Sequence, residues 1–497
     1  MIENNKFPDF YIYKLAMKLS GFTDFNIEFA KLHSVSISNE EYLSFRNSKE
    51  YKNISGYFCR NDDSIIAFSP EKNSCFKLVF NKPVEKQSIN LLIYLIRSYY
   101  KFGRDAISKA NNNKLIKEKI NDLVLQKGVF AYCLGDTGFT NESFDDLFKC
   151  LENWSLKTYE GHNVTYSILV NLNEKNVVDK DYADEYCGTF IDFLGEEYSA
   201  ILSDGITSII ELDRNCNFIS YKSITDGGVI EKCDLNDTHL PIRFSQIVSQ
   251  FVGGECIGLF LLTNGDFIIA KNKEMLFIRR NGKWLNLSKN LFVNTIKNNV
   301  SNLKLDDELL VEIFSTVLDI SFSHSGGIIS VVDENCKQWN DEVNNEEKPV
   351  ITKIDLLNEN SFEKTGEHIK SLFEIEKDKI ESNPKYKNRI DAMISDLKKR
   401  LNKKRFLICL LKRNNYFQKI DRKLRAELSG LDGAIVLNSK GKILSCGAII
   451  ANTAGSSGGG RGSAARTLSK YCGFSIKIST DGYVEVFQNT VRIYSIK

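Results

Sequence analysis

The sequence predicts an α/β protein, α+β in the way its elements segregate. A mixed N-terminal domain covers 1–155, an antiparallel strand-rich domain 156–295, and a C-terminal domain 296–497 has a mixed sheet flanked by helices. Three observations carry this. Apolar residues recur at helical spacing over Phe10–Leu19, Ile89–Tyr100 and Leu115–Leu125; the period changes to two from about Tyr166; and the final hundred residues alternate short strands with helices around a glycine-rich loop.

The strand-rich region reads as a meander. Ser199–Leu212, Ile257–Leu262, Asp266–Ala270 and Met275–Arg280 are short apolar-rich runs, and Asn264-Gly265, Lys271–Glu274 and Asn281-Gly282 supply turns between or after them. Asn-Gly accepts positive φ at little cost and so favours hairpins. Asp306–Asp319 then predicts a helix with Leu309, Leu310, Ile313, Val317 and Leu318 on one face, followed by the apolar strand Gly327–Val332. The stretch of about 334–413 is polar and charged, with helices expected over 361–380 and 386–405, and it reads as an insertion. Its basic end, Lys398–Arg405, reads as a solvated helix end, since cations favour a helix C-terminus.

Composition excludes several classes. The 497 residues are 42% hydrophobic and 26% charged, which suits a globular chain of several domains. With 66 Lys+Arg against 64 Asp+Glu the net charge is +2, so no global field favours nucleic acid or an anionic membrane. No specific nucleic-acid partner is expected. The apolar stretch Leu91–Ile96 is far too short for a span and Met1–Asp9 lacks a signal-peptide core, so a cytoplasmic protein without a membrane partner is expected. Twelve cysteines contain no C-x-x-C pair, and the five histidines are dispersed, which argues against a zinc site or a disulfide scaffold.

The chemistry concentrates in the last hundred residues. A helix over Tyr416–Leu428, a strand over Ala434–Leu437, a tight turn at Asn438–Gly441 and a strand over Ile443–Ile450 lead into Gly455–Ser463, which is almost entirely glycine and serine around Arg461. A helix over Ala464–Tyr471 and strands Ser475–Ser479 and Tyr483–Phe487 follow. Glycines let a backbone approach an anion, a following helix adds a positive dipole end, and Arg461 adds a planar multi-donor cation. The loop lacks the lysine of a Walker motif. Gly460-x-Gly462-x-x-Ala465 matches a relaxed dinucleotide fingerprint, but only 32 residues follow Ala465, too few for a second βαβ half.

The order and spacing of Asp432-Gly433-Ala434 and the glycine loop resemble the diadenylate cyclase (DAC) domain family, which carries Asp-Gly-Ala after a helix and Gly-Thr-Arg-His-Arg opening a later one. Glu427–Leu437 fits the first motif, and Gly459-Gly460-Arg461-Gly462-Ser463 sits where the second belongs. In that family two domains face each other, each holding one ATP, and each 3'-hydroxyl attacks the other's α-phosphate. The resemblance implies that Asp432 is the catalytic and metal-organising carboxylate, with Mg²⁺ or Mn²⁺ arriving as a nucleotide complex. It implies that Arg461 holds phosphate, and that Leu431, Gly433, Ala434, Gly458, Gly459, Gly460, Gly462 and Ser463 line the nucleotide. It also implies a homo-oligomer through the DAC-like domains. Here the Arg-His-Arg triplet reads Arg461-Gly462-Ser463 and the preceding threonine is Gly460. Losing one such electrostatic donor costs about 2.7–4 kcal/mol of transition-state stabilisation, whereas ground-state binding suffers less. The expectation is therefore a sensor of an adenine-type nucleotide or cyclic dinucleotide with weak or no cyclase activity. A divergent diadenylate cyclase making cyclic di-AMP, and a structural protein with a relict site, stay open beside it.

Overall fold

The computed structural model describes residues 15–17, 19–20, 25–31, 57–61, 64–69, 74–80, 86–110, 113–136, 140–173, 190–196, 199, 206–224, 239–301, 303–345, 349–351, 357, 367, 371, 374, 384–411, 415–451, 459–471 and 473–496. Most of the expected helix at 361–380, the turn Asp204-Gly205 and the loop residues 452–458 lie outside these. The chain is an α/β protein whose mixed sheets are flanked by helices. It divides into two compact units, one formed by Met1–Thr238 with Arg243–Ser288 and the other by His239–Ile242 with Lys289–Lys497.

In the first unit, β1 (Phe25–Lys31), β2 (Tyr57–Asn61), β3 (Ser64–Ser69) and β4 (Ser74–Phe80) form an antiparallel sheet in the order β1-β4-β3-β2. Then come α1 (Lys86–Ser98), a π-turn at Tyr99–Gly103, α2 (Arg104–Lys109), α3 (Lys114–Leu134), α4 (Glu142–Ser155), the small hairpin β5 (Thr158–Tyr159) with β6 (His162–Asn163), β7 (Tyr166–Asn171), α5 (Phe190–Leu194), β8 (Ser208–Leu212), β9 (Phe218–Ser223) and α6 (Ile242–Phe251). The meander β10 (Cys256–Leu261), β11 (Phe267–Lys271), β12 (Glu274–Arg280) and β13 (Lys283–Leu285) closes it. Its seven-stranded sheet runs β13-β12-β11-β10-β7-β8-β9, with only β7 and β8 parallel. The helices of 86–155 and the strands of 166–285, which the sequence assigns to separate segments, share one core: Phe130 meets Trp284 edge-on at 5.7 Å, and Phe148 packs on Phe267 at 4.7 Å.

The second unit contains α7 (Lys289–Asn299), α8 (Asp307–Ser323), β14 (Gly327–Val332), α9 (Lys337–Val343), α10 (Pro384–Leu411), a 3₁₀ turn (Phe417–Lys419), α11 (Arg422–Ser429), β15 (Ala434–Asn438), β16 (Ile443–Ala448), α12 (Gly459–Leu468), β17 (Phe474–Ile478), β18 (Val484–Gln488) and β19 (Val491–Ile496). Its sheet runs β16-β15-β14-β17-β18-β19, and β14 and β15 are the parallel pair. Because side chains alternate across a strand, Ile328, Val332, Ala434, Val436 and Phe487 bury one face against α9 and α12. Phe292 of α7 packs on Phe314 of α8 at 5.3 Å and edge-on against Tyr494 of β19 at 5.8 Å on the other face.

Local chemistry sets several boundaries. Asp306 caps α8, accepting from the Glu308 N–H, and His324 ends it in the left-handed region at φ 55°. The expected helix over 416–428 starts late, since the Asp421 carboxylate accepts from the Lys423 and Leu424 N–H groups and opens α11 only at Arg422. Tyr416 instead bridges Lys442. The helix after the glycine loop starts early, at Gly459 rather than Ala464.

Candidate functional site

Asp432 leaves α11 through Gly430 and Leu431, so the placement of α11 decides where the carboxylate stands. That helix is clamped to α8 by two buried ion pairs. Arg422 donates from Nε to Asp319 Oδ2 at 2.8 Å and from Nη2 to Oδ1 at 3.0 Å, and Arg425 pairs with Glu312. The Asp319 carboxylate also accepts from the Ile242 N–H at 2.7 Å, and Arg422 Nη2 donates to the Leu240 carbonyl. Burial, the larger effect, pushes the Asp319 and Glu312 carboxyls up, while the guanidiniums pull them down. Arg422 and Arg425 are almost fully buried, so α11 has little freedom to slide.

Beyond the clamp, the strand order places β15, which follows Asp432, next to β14. The β14–β15 register pairs Ile329 with Ile435. Gly326 immediately precedes β14, and Asp432 stands two residues before β15, both ahead of the paired register. Arg461, in the first turn of α12, lays its guanidinium beside Gly326: Nη1 is 2.9 Å and Cζ 3.2 Å from the point a Cβ on Gly326 would occupy. Gly326 has φ +67°, and its bare Cα is what leaves room for the guanidinium. Asp432 and Arg461 are both exposed. The Arg461 guanidinium thus lies beside the start of β14, and Asp432 precedes the neighbouring parallel strand β15.

The other expected residues divide. Leu431 is exposed beside Asp432, and Gly459 and Gly460 open α12 with nothing within 4 Å of where a Cβ would stand. Gly458 lies outside the described residues. Gly433, at φ +111°, is pressed against β16, with a Cβ position only 2.4 Å from the Gly447 carbonyl carbon and 2.8 Å from the Ala448 oxygen. Its missing side chain makes room for a neighbouring strand. Ala434 and Ser463 are 1% exposed, with side chains in the interior, so any contact they make with a ligand runs through backbone.

The same edge carries groups that sequence reasoning passed over or set aside. Ser325 Oγ approaches Gly430 and is 2.9 Å from Ser323 Oγ, while His324 donates from Nδ1 to the Thr480 carbonyl at 2.9 Å. Histidine 324 is a hydrogen-bonded turn residue, as its place before Gly326-Gly327 suggests. Lys477 of β17 reaches Gly462, its Nζ 3.9 Å from the Cβ position there. The signal for Lys477 was in the sequence: it is the one charge in the strand Phe474–Ile478.

Among the described residues no group of three or more His, Cys, Asp and Glu side chains could hold a metal. Asp432 alone fits a cation that arrives with phosphate oxygens, since Mg²⁺ is commonly held by one or two carboxylates plus substrate phosphates. No helix among the described residues is long and apolar enough to cross a membrane. No family model matches the chain, and no curated protein or solved structure is detectably similar to it.

Proposed function

We propose that the second unit is a DAC-like nucleotide-binding module that senses an adenine-type nucleotide or cyclic dinucleotide and has weak or no cyclase activity. What supports this is the Arg461 guanidinium perched on Gly326 at the start of β14, next to a helix that opens with exposed glycines, with the exposed Asp432 just ahead of the adjacent strand β15. Arg461 and the start of α12 suit phosphate oxygens, because the peptide dipoles leave a helix N-terminus positive. Asp432 suits the metal of a nucleotide complex, Mg²⁺ or Mn²⁺, which would supply charge neutralisation.

The same geometry favours binding over turnover. Gly462 offers no side chain where the family has its histidine, and Ser463, in place of the second arginine, is buried under α12. With two transition-state donors missing, at about 2.7–4 kcal/mol for one such donor, a held nucleotide would react slowly.

Thermal shift with ATP, dATP, GTP and cyclic di-AMP, with and without Mg²⁺, tests this. A ligand at 100 times its Kd adds about 2.7 kcal/mol of stability, and Asp432→Asn or Arg461→Ala should remove the response to the metal nucleotide. A flat response across the whole panel refutes the reading. Cyclic di-AMP formed from ATP above the Asp432→Asn control shows instead a working cyclase.

A further inference from the structure

Helix α10 (Pro384–Leu411) carries two stripes of one spacing. Ile390, Ile394, Leu397 and Leu401 stand at i, i+4, i+7 and i+11 and form a small apolar cluster, in which Ile394 is 5% and Leu401 8% exposed. Lys399, Lys403, Phe406 and Leu410 repeat the pattern nine residues further on. Nine residues make about two and a half turns, so the second stripe runs along the opposite side of the helix. It is open to solvent. Lys399 and Lys403 are exposed, and Phe406 and Leu410 are 69% and 45% exposed.

The helix is strongly cationic. Its 28 residues hold nine Lys and Arg against two Asp, a surplus of seven in a chain whose total is only +2. The near-neutral total thus conceals one basic element. Lys398 and Arg405 are exposed as well, and among the described residues none of Lys398, Lys399, Lys403 and Arg405 is paired with a carboxylate. A solvated helix end accounts for cations, but not for an aromatic ring and a leucine left in water in line with them. Unneutralised positive charge selects an anionic partner. The two apolar side chains on the same stripe select one with an apolar layer beneath its charge, which is the make-up of an anionic bilayer surface. Nucleic acid would match the lysines but offers Leu410 little to bury against. The helix is not apolar enough to span a membrane, so it can lie only on the surface.

We propose that α10 seats this chain on anionic membranes, with Phe406 and Leu410 dipping to the acyl boundary and Lys399 and Lys403 on the lipid phosphates. The first stripe stays in its apolar cluster, and the role is independent of nucleotide binding by the same unit.

Sedimentation of the full chain with phosphatidylcholine vesicles, with and without phosphatidylserine, tests this. Binding should require phosphatidylserine and fall as salt is raised, because salt screens the lysines. Lys399→Gln and Lys403→Gln should each weaken it about fivefold, the share of one lysine near an anionic surface, and Lys399→Arg should retain it. Phe406→Ser should weaken it about tenfold through lost apolar contact. All three positions face water, so the variants should melt with the wild type, and a fall in binding then reports the surface and not the fold. No sedimentation with phosphatidylserine vesicles, equal binding to phosphatidylcholine alone, or full binding by Phe406→Ser overturns the assignment. Capture of duplex DNA or RNA without vesicle binding makes nucleic acid the partner and overturns it too.

Discussion

Replacing Arg422 by methionine leaves Asp319 as a buried carboxylate whose remaining partner is the Ile242 N–H. The side chains are 3% and 2% exposed, so solvent screens little of the change. Breaking a buried pair from one side costs about 3–5 kcal/mol. Asp319→Asn strands the guanidinium and should cost a similar amount. The double variant leaves no unpaired charge at positions 319 and 422 and keeps an oxygen for Ile242, so it should cost about 1–3 kcal/mol, the penalty of an unsatisfied amide. The strong non-additivity is the signature. Denaturant unfolding followed through Trp339, a buried tryptophan of the second unit, measures it. pH adds a second reading. The Asp319 carboxyl already lies above its ordinary 3.8 through burial, and losing Arg422 removes a group that lowers it. A carboxyl raised in the fold contributes stability below its unfolded pKa that is lost as pH climbs through its folded one. The Arg422→Met deficit should therefore shrink toward acid, where Asp319 takes a proton. Additive single costs, or a deficit that grows as pH falls, refute the clamp.

Two further tests bear on other parts of the unit. Gly326→Ala puts a side chain at φ +67° and 2.9 Å from Arg461 Nη1; it should lower stability by about 1–2 kcal/mol and weaken Mg-ATP binding as Arg461→Ala does, and unchanged affinity in a titration would mean the guanidinium does not work from that perch. The phenols of Tyr471 and Tyr494 are pushed up by burial from an ordinary 10.0, Tyr471 also by its 2.5 Å hydrogen bond to Glu342; their stability is intact below that value and lost as pH rises above it, by up to about 1.4 kcal/mol per unit for each phenol, so melting scans toward alkaline pH should fall and Tyr471→Phe should flatten the slope.

Much of the fold could be read from the residues because local chemistry dictated it. Asn281-Gly282 takes positive φ at both positions and joins β12 to β13, and Gly265 turns the β10–β11 hairpin at φ +80°. The largely apolar Gly327–Val332 is buried on both faces, as its Ile and Val residues imply. What could not be read was determined by partners distant in sequence. The pairing of β14 with β15 joins stretches about a hundred residues apart, and β19, whose Val491, Arg492 and Ser495 are polar or exposed, shows too weak an alternation to announce an edge strand. The site divides in the same way. Asp432 and Arg461 stood out by residue type and order, but the role of Gly326 appears only once the Arg461 guanidinium lies against it. Gly433 looked like a ligand contact because the sequence does not reveal that β16 crosses it.

The parallel partnership of β14 and β15 also bears on how the site comes into being. Its pieces leave the ribosome in the order 326, 432, 461 and 477, and the long connection from Asp333 to Gly433 must close before β15 pairs with β14. Such closure is entropically costly and waits on the contacts that reward it. A nascent chain halted before β17 would hold Asp432 and Arg461 without Lys477 or the Ile478 carbonyl beside Gly326. On the proposed nucleotide-binding function, capture of the ligand would report that synthesis and folding of the whole sheet are complete.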